Sequence, residues 1–169
     1  MDKLGYIPGD LVITNGAPLG TEQDVVYRVT SSDPSKTLKL DDGTVMKGVV
    51  RLENLEGVEF GDKGYLFGDC CAWVKDIVPI PITPEILEKN GWVKEVMSRG
   101  VKNSHWVYTK PDIEEYGYFP IYIEKGIGDE FDVYSFTGNN VCKQIAYIKY
   151  VHQLQHLLFG LGLNSEMEV

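Results

Sequence analysis

A β-rich α+β chain is what this sequence predicts: a small β barrel, then an antiparallel sheet packed by a C-terminal helix. Three observations carry that reading. Short runs of β-branched and aromatic residues alternate with Gly, Pro, Asn and Asp along most of the 169 residues. Pro79, Pro81 and Pro84 fall close together and divide the chain. Only the stretch from Ile148 onward keeps a helical period long enough to lie across a sheet. A hydrophobic fraction of 43% is enough for a packed core.

From the N-terminus, Pro8-Gly9-Asp10 makes a turn into a strand at Leu11-Val12-Ile13, and Asn15 to Gly20 reads as a loop. Val25 to Val29 is β-branched and aromatic, hence a strand. Asp41-Asp42-Gly43 lies between Leu38-Lys39-Leu40 and Thr44-Val45-Met46. That is a hairpin signal, because Asp-Gly accepts the backbone a tight turn needs. Val49 to Leu52 extends the meander, and Tyr65-Leu66-Phe67 and Ala72-Trp73-Val74 are two further strands. Together these make a first domain over residues 1–79.

Residues 80–169 make the second domain. Val78 to Ile82 should run extended. Thr83 is a good N-cap, Pro84 suits the first helical position and Asn90-Gly91 stops the helix, so a short helix spans 84–89. Strands follow at Trp92–Val96, His105–Tyr108 and Phe119–Ile123, the last with Pro120 marking an edge or a strand start. Phe131–Phe136 alternates cleanly and pairs with Val141–Ala146 across the Thr137–Asn140 turn. The final helix spans 148–160, and Glu166–Val169 reads as a short terminal strand. At about 100° per residue the helix has an apolar stripe of Tyr150, Val151, Leu154, Leu157, Leu158 and Leu161, with His152 and His156 on the opposite face.

The formal net charge is −9, and no run of Lys or Arg interrupts it. An acidic chain does not gain the counterion release that drives nucleic-acid binding. Cys70, Cys71 and Cys142 are odd in number and form no disulfide framework. With no basic and apolar leader at Met1–Tyr6, they predict a reduced, cytoplasmic chain. No apolar run approaches the ~20 residues of a membrane span, so no membrane partner is expected.

His152 and His156, one turn apart, are the weak metal candidates. A third ligand would have to come from His105 or a carboxylate, and Gln153 stands where a His-Glu-x-x-His site needs glutamate. Two exposed or interface imidazoles are the plainer reading, so no metal and no cofactor are predicted. Gln155, Phe159 and His152 are the candidates for a protein contact. Cys70 and Cys71 lack a base nearby in sequence and read as buried apolar thiols. Gly126 to Glu130 lacks the Lys-Ser/Thr ending of a phosphate loop. No triad, nucleotide fingerprint or Cys-x-x-Cys pair is present, so no catalytic residue is assigned.

Gly9-Asp10-Leu11-Val12 followed by Val26-Tyr27-Arg28-Val29 resembles the opening of SH3-like and KOW-like small barrels. Two longer blocks, Ile80-Pro81-Ile82-Thr83-Pro84-Glu85-Ile86-Leu87 and Lys149-Tyr150-Val151-His152-Gln153-Leu154-Gln155, resemble a family of small proteins from Bacteroidetes and their phages. That family has a PIPLT-E-x-L block and a KYVHQLQ-like block, and its equivalent of position 156 is often not His. The resemblance covers residues 77–91 and 147–163, with a looser match at 6–30. It implies a phage or mobile-element origin and carries no assigned activity. The leading expectation is a non-enzymatic protein-interaction module with an unknown protein partner, self-association left open. The alternatives are a nucleic-acid-associated accessory protein, with Tyr27, Tyr65 and Trp73 stacking on bases, and an enzyme with a scattered metal-dependent site.

Overall fold

The structure is a computed structural model that describes residues 5–55, 70–98, 104–111, 113, 120–126, 128–136 and 142–169. The expected Tyr65-Leu66-Phe67 strand lies outside them. The chain divides into two compact units, Met1–Ile80 and Pro81–Val169. Among the described residues each holds one five-stranded antiparallel sheet, so the chain is β-rich α+β.

Unit 1 contains β1 (Leu11–Thr14), β2 (Tyr27–Lys39), β3 (Val45–Asn54), β4 (Cys70–Trp73), a 3₁₀ turn at Val74–Asp76, and β5 (Ile77–Pro79). The strand order is β4-β3-β2-β1-β5. Period-2 alternation turns Val12, Tyr27, Val29, Val50, Leu52, Ala72 and Ile77 into one buried cluster. The β1–β2 loop is held by Thr14 Oγ1 donating to Thr21 Oγ1 at 3.0 Å and Glu22 N donating to the Tyr27 hydroxyl at 3.0 Å. Thr14 and Thr21 are buried, so this pairing satisfies groups that would otherwise be costly to desolvate.

Unit 2 contains α1 (Pro84–Lys89), β6 (Val93–Ser98), β7 (Ser104–Thr109), β8 (Ile121–Lys125), β9 (Phe131–Phe136), β10 (Cys142–Ile148) and α2 (Val151–Gly160). The strands follow chain order, β10-β9-β8-β7-β6. α1 has the cap its sequence dictates: Thr83 Oγ1 accepts from Ile86 N at 3.3 Å. Ile121, Ile123, Phe131, Val133 and Ile148 are buried on the sheet, and Leu87, Val151, Leu154 and Leu158 on the helices.

Three expectations are corrected here. The last helix starts at Val151, because Tyr147 and Ile148 stay in β10 opposite Asp132 and Phe131. Glu166–Val169 forms no strand. Instead Asn90 clamps the Glu168 backbone: its Oδ1 accepts from Glu168 N at 2.8 Å and its Nδ2 donates to Glu168 O at 2.7 Å. Finally, α2 is rotated. Its buried residues are Val151, His152, Leu154, Gln155 and Leu158, while Leu161 is exposed and Leu157 half-buried. With 3.6 residues per turn, that buried arc is turned by roughly 80° from the predicted stripe. The physical reason is a second cover. Residues 163–169 run beside α2, Gln155 Nε2 donates to Ser165 O at 3.3 Å, and Met167 is buried. Among the described residues no helix is long and apolar enough to cross a membrane.

Candidate functional site

The two blocks that stood out in the sequence meet in space. Ile82 N donates to Lys149 O at 2.9 Å, and Pro81 forms an isolated antiparallel bridge with Tyr150. Gln153 Oε1 then accepts from both Lys149 N and Tyr150 N, at 2.7 and 3.1 Å, and fixes the start of α2. This joint is structural: it pins the entry of unit 2 to its last helix.

His152, expected as an exposed or interface imidazole, and Gln155, expected at a protein contact, are both buried, at 7% and 4% exposure. The His152 ring stacks on Tyr150 at 5.8 Å and meets His156 edge-on at 5.7 Å. Burial, with His156 adding to it, lowers the His152 pKa from 6.5 to about 4. The imidazole is therefore neutral at pH 7. Among the described residues no group of three or more His, Cys, Asp or Glu is placed to hold a metal. The His105 side chain lies outside those residues. Phe159 is the one interaction candidate on α2 that is open to solvent, at 67% exposure. Cys70 is buried and its thiol donates to Gly20 O at 3.3 Å, whereas Cys71 is exposed, against the expectation for it. Strand alternation explains the difference, since neighbours on β4 face opposite sides.

Two surfaces not singled out by the sequence reading emerge. The first is a ribbon in unit 1. Beyond Ser32 every residue from Asp33 to Val45 of the β2–β3 hairpin is exposed, while Met46, opposite Leu38, stays buried on β3. The register slips between Asp33 and Thr37, with Gly48 at φ +69 on the facing strand. An irregularity of this kind bends the strand that carries it. Asp33 Oδ1 accepts from Ser35 N and Ser35 Oγ, at 3.0 and 2.7 Å, and so braces the irregular stretch. At the tip Gly43 takes φ +86, and Leu40 N donates to Thr44 O at 2.8 Å. The ribbon carries Leu38, Leu40 and Val45 at 47%, 39% and 51% exposure. Its signal in the sequence was the Asp-Gly turn flanked by apolar residues. The missing information was that of this hairpin's apolar residues only Met46 is buried, with Leu38, Leu40 and Val45 left outside.

The second is one face of the unit 2 sheet, half-buried over β8 and β9 and buried at β7, where Val107 and Thr109 are 2% and 7% exposed. Register places Thr109, Tyr122, Tyr134 and Gln144 in one row across four strands, and Val107, Glu124, Asp132 and Tyr147 in the next. Gln144 Nε2 donates to Asp132 Oδ1 at 2.7 Å and the Tyr147 hydroxyl donates to Gln144 Oε1 at 3.1 Å, which ties the rows together. The opposite face holds Ile121, Ile123, Phe131 and Val133 of the core. No single segment of sequence shows this face, because its residues come from separate strands.

With both units described, comparison with known proteins adds no relationship: no family model, no curated protein and no solved structure matches the chain.

Proposed function

We propose that the chain is a non-enzymatic protein-interaction module whose contact element is the β2–β3 ribbon of unit 1. The observation that carries this is the Asp33–Val45 ribbon, exposed throughout yet ordered and bearing Leu38, Leu40 and Val45. Of this hairpin's apolar side chains only Met46, opposite Leu38, is buried, and a two-stranded ribbon with so little cover gains little from its own burial. Apolar side chains at its end add nothing to the core of unit 1 and are positioned to be covered by another protein. Unit 1 is read as an SH3-like barrel. Supporting this are the five-stranded antiparallel order, in which β5 lies beside β1, and the 3₁₀ turn just before β5. A phage or mobile-element origin is part of the same proposal and rests on the resemblance of the two sequence blocks alone.

A photo-crosslinking residue placed at Leu38 tests the module reading in cells of the source organism, with the same residue at Glu88 on α1 as control. A discrete adduct from position 38 that Val45→Asp abolishes, with the melting temperature unchanged, is the expected result. Adducts equally abundant from both positions, or none from position 38, would sink it.

A further inference from the structure

We infer that the chain pairs with a second copy of itself through the outer edge of β6, joining the unit 2 sheets of the two copies into one. A strand at the end of a sheet leaves a row of backbone N–H and C=O groups open to another strand, and folded proteins blunt such edges. Three of the four sheet ends are blunted here. In unit 1 the end strands β4 and β5 are four and three residues long, and β5 closes on Pro79. In unit 2 the register of β10 breaks between Gln144 and Ala146, and β10 carries the exposed Lys143. The exception is β6. Among the described residues no strand pairs with its outer side. Its register with β7 is unbroken over all six residues, Val93 to Ser98. Val93, Lys94, Glu95 and Val96 are all exposed, so both faces of the strand are open. Val96, at 50% exposure, and its cross-strand partner Trp106, at 57%, form an apolar pair at this rim. Lys94, the charge that would guard the edge on their face, lies back over the Trp106 ring, with Nζ 5.1 Å from its centre.

Closure and symmetry identify the occupant. A lone strand added to β6 would present a new open edge in turn. A second copy joined β6 to β6 leaves only the two β10 edges outside, both blunted, so assembly stops at two. Charge then selects the register. A two-fold axis normal to the sheet keeps each side chain on its own face, so a residue opposes itself or one an even number of positions away. Centring the axis on Lys94 or on Glu95 sets that charge directly against its own copy, which is unfavourable. Centring on Val93, Met97 or Ser98 pairs three residues of the strand or fewer. Centring on Val96 pairs five, Lys94 to Ser98, and sets Lys94 against Ser98 and Glu95 against Met97. It also aligns Trp106 and Val96 of one copy with Val96 and Trp106 of the other, an apolar row across four strands. The surface belongs to unit 2 and is independent of the ribbon of unit 1.

Sedimentation equilibrium of the whole protein, with a cross-link to read the register, tests the inference. Wild type should show a monomer–dimer equilibrium. Val96→Lys sets like charges across the axis and should raise the dissociation constant at least about tenfold, whereas Leu38→Asp on the ribbon should change it by less than about twofold. In a Cys71→Ser background, Val96→Cys should give a disulfide-linked dimer on mild oxidation, because opposed residues lie about 4.5–5.5 Å apart, within disulfide range. Lys94→Cys should not, because its copies are offset along the ladder by roughly 13 Å, at ~3.3 Å per residue. A monomer at every concentration, or assemblies larger than a dimer, would overturn the inference. So would a dimer that Leu38→Asp abolishes and Val96→Lys spares, or cross-linking as efficient from position 94 as from position 96.

Discussion

Acidification should loosen the second unit through His152. The ring is 7% exposed at the start of α2. Burial first, and the adjacent His156 second, bring its pKa from 6.5 down to about 4. The folded state therefore resists the proton that the unfolded chain accepts at the ordinary value. The resulting stability is fully present above pH 6.5 and is lost as pH falls toward 4. At about 1.4 kcal/mol per pH unit across that interval, the loss approaches about 3 kcal/mol. Carboxylates titrate in the same range, so the informative quantity is a difference. His152→Gln cannot titrate, and the stability gap between wild type and this variant isolates the imidazole. Urea melts read by fluorescence in a Trp73→Phe background report unit 2 alone, since Trp92 and Trp106 both belong to it. The gap should move against the wild type by about 3 kcal/mol between neutral pH and pH 4. A gap that stays constant with pH would refute the reading of His152 as a buried neutral base.

Other changes in unit 2 should separate core from surface. Leu154 is completely buried, so Leu154→Ala should cost about 2–5 kcal/mol in the same melts, whereas Phe159→Ala, at 67% exposure, should stay within about 0.5 kcal/mol. Thr83→Ala removes the side-chain acceptor for Ile86 N and should cost about 1 kcal/mol, with Thr83→Ser restoring most of it.

What could be read in the sequence was local. Thr83-Pro84 and Asn90-Gly91 specify α1 within their own few residues, and its observed limits, Pro84–Lys89, follow from them. β9 is found at Phe131–Phe136 because its alternation is uninterrupted. What escaped depends on residues far away. Tyr147 and Ile148 suit a strand or a helix equally, and only pairing with Asp132 and Phe131 assigns them to β10. The facing of α2 was misjudged because an apolar stripe locates one cover, whereas residues 163–169 supply a second, over Gln155. The second half of β2 has no alternation to read, since Ser35–Lys39 are exposed on both faces and paired only through the ribbon. The sheet face needed register as well. The irregularity between Gln144 and Ala146 keeps Tyr147 on the side of Gln144, where strict alternation would have put it opposite.

The clamp of Asn90 on Glu168 joins residues 78 positions apart, and Lys89 Nζ reaches the Val169 carbonyl at 2.9 Å across 80. Closing a loop of that length costs more chain entropy than any hairpin in the sheet. Assembly of the intervening strands lowers that cost, so these contacts are favoured late, and on a ribosome the clamp cannot form before residue 168 has emerged. Unit 2 therefore acquires its seal last, and while the chain is still growing α2 has one cover instead of two. Contacts made this late contribute to how slowly the unit unfolds more than to how fast it folds, so Asn90 acts chiefly on the lifetime of the native state.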